Sequence, residues 1–244
     1  MLQTKEWFGE WFDSPYYHVL YRHRDMEEAK AFIDQLTLYF QFKNKDRILD
    51  LACGKGRHAI YLNKKGIDTV GLDLSPQNIA CARHFENERL KFHVHDMRFP
   101  WVGERFDYVL NLFTSFGYFE TKGESQQAIS AIAEGLKKGG KLLIDFLNPY
   151  TVINNLVPEE IKIINGIEFH ITKYLSGEYI VKDIKFEDKG VPYEFQERVN
   201  AIRRVKFLEY FECANLKLLD LFGDYNLNPY FAEKSERMIF VLIR

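Results

Sequence analysis

The apolar residues in the first 150 positions alternate between a helical and a strand-like spacing. Met26 to Phe42 repeats apolar side chains every three or four positions, which predicts a helix. Short apolar runs that follow are typical of buried strands, namely Arg47 to Leu51, Ile67 to Leu72, Leu90 to Val94, Phe106 to Leu110 and Lys141 to Leu147. Because helical patterns separate these runs, we expect an α/β fold with a doubly wound, mostly parallel, Rossmann-like sheet.

Residues typical of helix starts and ends mark the helices between these strands. Serine followed by proline is a common helix start, and glycine is a common helix end. The predicted helices are Arg57 to Lys65 with Gly66 as its cap, Ser75-Pro76 to about Glu88, and Glu124 to Leu136 closed by Gly139-Gly140.

After Pro149 the spacing changes to a period of two, which indicates antiparallel strands. Asn165-Gly166 and Ser176-Gly177 are typical hairpin turns. The predicted strands are Ile161 to Asn165, Ile167 to Leu175, Tyr179 to Glu187 and Tyr193 to Ile202. A helical stripe near Phe207, a left-handed cap at Asn215 and two apolar strands, Leu216 to Phe222 and Met238 to Ile243, complete the pattern.

The chain therefore divides into four predicted parts. An antiparallel β insertion follows the fifth strand and interrupts the α/β core. The parts are residues 1–44 with the first helix, 45–150 as the binding core, 151–203 as the insertion, and 204–244 as the end of the core sheet.

Composition narrows the class of protein. Hydrophobic residues make up 46% and charged residues 28% of the 244, and the net charge of -2 gives no sign of a nucleic-acid partner. We see no apolar run of membrane-spanning length and no signal-peptide pattern. The three cysteines are odd in number and widely spaced, which argues against disulfides or zinc and favours the cytoplasm.

A glycine-rich turn follows the first predicted strand. Gly54 to Ala59 fits the G-x-G-x-x-G/A fingerprint of dinucleotide sites, and Asp73 lies 19 residues beyond Gly54, where it can bind ribose hydroxyls. Asp50, however, would repel a pyrophosphate and favour an ammonium group. Asp96, after the third strand, can accept a hydrogen bond from an exocyclic amine. A ligand with a ribose, an amine-bearing base and a cationic head fits all three, and S-adenosylmethionine is such a ligand.

The segments ILDLACGKGRH, GLDLSP and HDMRFP resemble successive motifs of class I S-adenosylmethionine-dependent methyltransferases. The resemblance covers Lys45 to Leu147 and the last strands, with Ala52 in place of the family's first glycine. It implies S-adenosylmethionine as cofactor, with one role for each matched position. The methionine part of the cofactor would lie along Ala52, Cys53, Gly54 and Gly56, with its ammonium group on Asp50 and its sulfonium near Asn111. The ribose would lie on Asp73. The adenine would lie between Leu74 and Met97, with Asp96 at its edge.

The N-terminal stretch SPYYHVLYRHRD is similar to Tyr-rich segments of small-molecule methyltransferases, some of which act on amino sugars. In that family it forms a lid, which implies that Tyr17 and Tyr21 cover the methionine end and that Arg24 pairs with the cofactor carboxylate. The alternative is that these aromatics only dock the first helix.

No general base is identified. Similar amino-sugar enzymes carry a histidine after Ser-x-Gly, whereas this chain has Tyr118 there. With a usual pKa near 10, tyrosine is a poor base, so Tyr118 is expected to orient the substrate or line its pocket. His93 and His95 share a strand face but lack a third ligand, so no metal is expected.

The sequence thus predicts a methyltransferase that transfers a methyl group from S-adenosylmethionine to nitrogen or oxygen of a small-molecule acceptor. A non-catalytic S-adenosylmethionine-binding module and an NAD-dependent oxidoreductase are the alternatives. We expect a monomer or homodimer with no nucleic-acid or membrane partner.

Overall fold

Two β-sheets organise the chain, of which the computed structural model describes residues 7–22 and 26–244. The strands are β1 Arg47–Leu51, β2 Asp68–Asp73, β3 Leu90–Val94, β4 Phe106–Asn111, β5 Leu136–Leu147, β6 Glu159–Ile164, β7 Ile167–Ser176, β8 Tyr179–Asp188, β9 Val191–Asn200, β10 Lys217–Phe222 and β11 Arg237–Ile243. The helices are α1 Trp7–Asp13, α2 Pro15–Leu20, α3 Met26–Phe40, α4 Arg57–Lys64, α5 Pro76–Ala82, α6 Lys122–Gly135, α7 Pro149–Asn154 and α8 Arg204–Cys213.

The larger sheet has seven strands in the order β10-β11-β5-β4-β1-β2-β3. Strands β1 to β5 are parallel to one another, and β11 lies antiparallel between β5 and β10. Strand order reverses at β1, which pairs with both β2 and β4, so a crevice opens there at the carboxyl ends of the strands. The predicted Rossmann-like α/β fold is confirmed.

Local caps explain where the helices of this sheet begin. The Ser75 hydroxyl accepts a hydrogen bond from the Asn78 N–H at the start of α5, and Pro76 occupies the first turn. Thr121 and Glu124 form a reciprocal capping box at the start of α6. Because of this box, α6 begins at Lys122, two residues before the predicted start.

Two predicted boundaries were wrong by more than a few residues. Helix α5 ends at Ala82 and continues only as a 3₁₀ turn, Arg83–Phe85, rather than reaching Glu88. Strand β5 starts at Leu136, directly after α6, so Gly139-Gly140 lies within the strand instead of ending the helix. A Cβ at Gly140 would lie 2.9 Å from the Lys137 carbonyl oxygen and 3.1 Å from that of Phe106, so close backbone packing is the physical reason for this glycine.

The smaller sheet is the predicted antiparallel insertion after β5, and its four strands follow chain order from β6 to β9. Asn165 and Gly166 both have positive φ (52° and 80°), which is the geometry of the predicted hairpin turn. Helices α1 and α2 pack on this sheet, since Trp11 and Leu20 share a buried cluster with Phe169 and Ile184. The N-terminal helices and the insertion therefore form one unit.

No helix within residues 7–22 and 26–244 is both long and apolar enough to cross a bilayer. The three cysteines, Cys53, Cys81 and Cys213, are free thiols.

Candidate active site

A cavity of about 730 Å³ opens where the parallel strands reach their carboxyl ends. Most of the residues predicted from the motifs line it: Tyr17, Tyr21, Asp50, Ala52, Cys53, Gly54, Asp73, Leu74, Asp96, Met97 and Tyr118. Gly56 and Asn111 are not among the lining residues. The expected contact of Arg24 lies outside the described residues.

The turn after β1 presents its backbone to this cavity. Gly54 has a φ of 57° and open space where a Cβ would stand, so a ligand can approach the chain closely there. Gly56 serves packing instead, because a Cβ would lie 2.6 Å from the Phe92 ring. Ala52 keeps a left-handed φ of 60° without being glycine, a conformation that costs about 1–2 kcal/mol. The turn thus holds strain at the position where the family has its first glycine.

Asp50 lies beneath the turn and is almost completely buried, with 1% of its surface exposed. One oxygen accepts a hydrogen bond from the Ala59 N–H at 3.1 Å, at the start of α4. Burial raises the pKa of Asp50 to about 7, against the opposing effects of that N–H and of Arg57. An ammonium group at the turn would favour the ionised carboxylate, which fits the predicted partner.

Asp73 connects the end of β2 to the same turn. Its Oδ2 accepts from the Gly54 N–H at 2.7 Å and its Oδ1 from the Ser75 N–H at 2.9 Å. Each carboxylate oxygen has a further lone pair, so two ribose hydroxyls can still donate to it. Burial raises the pKa of Asp73 despite these bonds.

Asp96 is already engaged by a cation that the sequence analysis did not single out. Arg98 donates to both oxygens of Asp96, with its Nη2 at 2.6 Å and its Nε at 3.0 Å from Oδ2. Arg98 also pairs with Glu124 at 2.8 Å. An adenine amine could bind Asp96 only by sharing these oxygens with the guanidinium. The sequence offered a signal for this pair, because Arg98 is in the HDMRFP motif two residues after Asp96.

Asn111 is not among the residues that line the cavity, and its Oδ1 is buried without a hydrogen-bond partner in the described part of the chain. Its Nδ2 donates to the Leu51 carbonyl at 3.1 Å, so the fully buried amide links β4 to β1. The residues that follow β4 line the cavity instead, including Phe113 and Thr114. Both adopt left-handed backbone angles (φ of 57° and 58°), which are costly for non-glycine residues. The expected position of Asn111 near a sulfonium stays a prediction.

A buried ion pair holds this strained loop. Asp145, on β5, is fully buried and accepts from the Phe113 N–H at 2.7 Å and from Arg237 Nε at 2.8 Å. Arg237 Nη2 also donates to the Thr114 hydroxyl at 2.8 Å. Asp145 and Arg237 could not be predicted from the sequence, because they lie on different strands and form no local motif.

Aromatic rings of α1 and α2 form one wall of the cavity. The Phe12 ring lies 5.3 Å from that of Tyr118 and 5.1 Å from that of Tyr17, and Tyr17 and Tyr21 are 4.9 Å apart. Tyr21 Oη donates to Glu197 of the insertion at 2.8 Å. This wall occupies the place expected for a lid, and its polar anchor, Glu197, was not foreseen.

Three histidines also border the cavity, namely His18, His58 and His95. His58 is buried, stacks on Phe113 with ring centroids 5.1 Å apart, and its Nε2 has no hydrogen-bond partner in the described part of the chain. Burial, with Arg57 nearby, lowers the pKa of His58 well below its usual value. Burial likewise lowers the pKa of His18, on α2. The imidazoles of His58 and His18 are therefore held neutral, so each can accept or donate a hydrogen bond to a ligand.

Comparisons with known proteins agree with this geometry. A family model described as a methyltransferase domain matches residues 48–140. An N,N-dimethyltransferase of a dTDP-amino sugar from Streptomyces venezuelae is 37% identical over 101 residues, which are 40% of this chain and 41% of that protein. A glycine/sarcosine N-methyltransferase from Aphanothece halophytica is 26% identical over 72% of this chain and 64% of that protein. The chain thus covers less than two thirds of the length of these two relatives.

Solved structures share the whole fold. An S-adenosylmethionine-dependent methyltransferase from Clostridium acetobutylicum superposes with a TM-score of 0.78 at 20% identity, over 93% of this chain and 95% of that one. A SAM-bound amino pentose methyltransferase from Micromonospora echinaspora gives 0.70 at 22% identity, over 95% and 97%. Residues 48–140 thus match a methyltransferase domain, and the chain has the Rossmann-like fold of these S-adenosylmethionine-dependent methyltransferases.

Proposed function

We propose that this chain transfers the methyl group of S-adenosylmethionine to a nitrogen or oxygen atom of a small-molecule acceptor. The observation that carries the proposal is the convergence of Asp50, Asp73 and Asp96, from three successive parallel strands, on one cavity with an open glycine turn. The matched methyltransferase domain and the methyltransferases among the relatives support it.

The residues present fit the cofactor. Asp50 would hold the ammonium group, the backbone from Ala52 to Gly54 the methionine part, and Asp73 the ribose, while Leu74 and Met97 would flank the adenine. When bound, S-adenosylmethionine would supply a methyl group on a positively charged sulfur. An acceptor atom would attack the carbon of this methyl group in line with the bond to sulfur, and that bond would break. The chain's own contribution is alignment of that acceptor, which proximity alone can make effective.

The acceptor side of the cavity is assigned to the loop after β4, the insertion and the aromatic wall. Tyr118 is proposed to orient the acceptor, since it lines the cavity and packs edge-on against Phe12. Tyr17 and Tyr21 are proposed as lid residues. We propose residues 1–44 as the lid, 45–150 as the cofactor-binding core, 151–203 as the cover over the acceptor and 204–244 as the end of the core sheet. We propose that the protein is a cytoplasmic monomer or homodimer.

Neither alternative explains the site as well. A pyrophosphate of NAD would lie against the buried Asp50 carboxylate, which would repel it once ionised. A module that only binds the cofactor needs no acceptor space, whereas the cavity continues past the strand ends to Leu147, Val152 and Val199.

Titration calorimetry with S-adenosylhomocysteine tests the proposal. We expect saturable binding to the unaltered chain and a loss of affinity of about tenfold or more in Asp73→Asn, which keeps the shape but removes the charge that the ribose hydroxyls bind. The matched control is Asp68→Asn, at the opposite end of β2. Absence of binding to the unaltered chain would contradict the cofactor assignment, and an unchanged affinity in Asp73→Asn would contradict the ribose contact.

A further inference from the structure

Arg237 presents a guanidinium group to the cavity for which the proposed cofactor contacts have no use. It is the first residue of β11 and pairs across the sheet with Leu147, at the carboxyl end of β5. Its side chain lines the cavity and is 14% exposed. Asp50 and Asp73, which are proposed to hold the cofactor, lie at the carboxyl ends of β1 and β2. Arg237 thus lies on the other side of the strand-order reversal, where space remains for an acceptor.

Two hydrogen bonds fix the orientation of this guanidinium. Its Nε donates to Asp145 at 2.8 Å and its Nη2 donates to Thr114 at 2.8 Å. The ring of Tyr225 lies 5.5 Å from its central carbon. A guanidinium has five N–H donors, and these two bonds leave the Nη1 pair and one N–H of Nη2 without a partner among the described residues. These three N–H groups lie along the edge of the guanidinium that contains Nη1.

The charge of Asp145 does not cancel the attraction that this edge exerts on an anion. Asp145 is fully buried on the far side of the guanidinium, and its oxygens also accept from the Phe113 N–H at 2.7 Å and from Tyr225 Oη at 3.2 Å. Its negative charge is therefore shared among several donors. Glu197, the other carboxylate on this side of the cavity, is engaged by Trp11 and Tyr21.

We propose that Arg237 binds an oxyanion of the methyl acceptor, either a carboxylate or a phosphate, and so selects acceptors that carry such a group besides the nucleophilic atom. The planar guanidinium matches both oxyanions through two parallel hydrogen bonds. Asp145 and Thr114 position it. This inference rests on the proposed function, because it assumes that the cofactor occupies the β1 and β2 side.

The test measures binding of acetate and of methyl phosphate to the chain saturated with S-adenosylhomocysteine. We expect saturable binding of at least one of the two, and the one that binds identifies the oxyanion. Arg237→Lys keeps a positive charge beside Asp145 but loses the planar pair of donors, so its affinity for that anion should fall about tenfold or more. Arg204→Lys, on the exposed first turn of α8, is the matched control and should bind the anion as the unaltered chain does.

A second readout needs no variant. In the chain labelled with ¹⁵N-arginine, the side-chain resonance of Arg237 should shift as the anion is added, and this holds even if Arg237→Lys does not fold. Failure of both anions to bind, or equal binding in Arg237→Lys, overturns the inference.

The proposed function can fail separately. If Arg237→Lys loses affinity for S-adenosylhomocysteine itself, the arginine binds the cofactor carboxylate and the acceptor assignment is wrong. If the unaltered chain does not bind S-adenosylhomocysteine at all, the proposed function fails first. Titration of both anions into the ligand-free chain then still decides whether Arg237 binds an oxyanion.

Discussion

At the scale of single residues, Asp50 has an unusual pKa for a carboxyl group. Its pKa is raised to about 7, chiefly because burial penalises the charged form. In the unfolded chain the same carboxyl would titrate near its usual value of 3.8. The folded, ligand-free chain therefore loses part of its stability as the pH rises from that value through about 7.

This pKa predicts a pH-dependent affinity for the ligand. The ammonium group of S-adenosylhomocysteine should bind the ionised Asp50, so affinity should rise about tenfold between about pH 6 and about pH 8, with release of a proton. Calorimetry in buffers of different ionisation enthalpy measures both effects. In Asp50→Asn the rise and the proton release should disappear. A flat profile in the unaltered chain would show that Asp50 is not the group that meets the ammonium.

Single residues also show where sequence reasoning succeeds. Asp50 and Asp73 directly end strands and flank a glycine turn, so their local pattern predicted that they meet at one cavity. Arg237 and Glu197 lie on strands remote in sequence from the glycine turn, and only the folded sheets bring them to the cavity. Asn111 also ends β4, and its amide nitrogen donates to the carbonyl of Leu51, a contact that the local sequence pattern does not indicate.

At the scale of elements, β4, β5 and β11 depend on one buried carboxylate. Asp145 of β5 holds the backbone of the left-handed loop after β4 through the Phe113 N–H and anchors β11 through Arg237. Strained backbone persists only where its surroundings fix it. The conformation of the loop after β4 therefore depends on its neighbouring strands.

Removal of this carboxylate should be costly. Asp145→Asn leaves Arg237 without its ionic partner in a buried site, so the free energy of unfolding should fall by about 3–5 kcal/mol. Denaturant titration measures the change. For comparison, Glu194→Gln breaks an exposed pair with Lys185 on the insertion and should cost less than about 1 kcal/mol. Equal losses of unfolding free energy in the two variants would mean that the buried ion pair stabilises the fold no more than the exposed pair does.

Element boundaries were predicted well where a side chain marks them and poorly elsewhere. Ser75-Pro76 marked the start of α5, and Asn165-Gly166 marked a hairpin. The start of β5 carried no such mark, since Leu136 to Gly140 reads equally as the end of a helix. Pairing with β4 settles it as strand, and pairing is a property of the tertiary structure.

At the scale of the whole molecule, the N-terminal helices close the cavity by docking on the insertion. Tyr21 links the two through Glu197, and the Lys182 ammonium donates to Tyr21 Oη at 2.5 Å. The cavity thus lies between the seven-stranded sheet and this combined cover. A ligand in the cavity contacts both.

Binding should therefore slow hydrogen exchange in parts of the chain far apart in sequence. We expect S-adenosylhomocysteine to protect backbone amides of α1 and α2 as well as those of the turn after β1. Tyr21→Phe loses a hydrogen bond to a charged group, so exchange in α1 and α2 should become about tenfold faster. Tyr39→Phe, whose hydroxyl bonds Asp220 outside the cavity, is the control. Unchanged exchange in α1 and α2 on ligand binding would argue against a lid.

The pairing of Leu147 with Arg237 affects which part of the chain can change in evolution without disturbing the core. The chain leaves the seven-stranded sheet after Leu147, returns to it at β10 and pairs again with β5 through β11, so α7 and strands β6 to β9 form one excursion between elements of the core. Such an excursion can lengthen, shorten or change sequence at small cost in closure entropy. Selection can thus replace the part of the protein proposed to choose the acceptor while the part proposed to hold the methyl donor stays as it is.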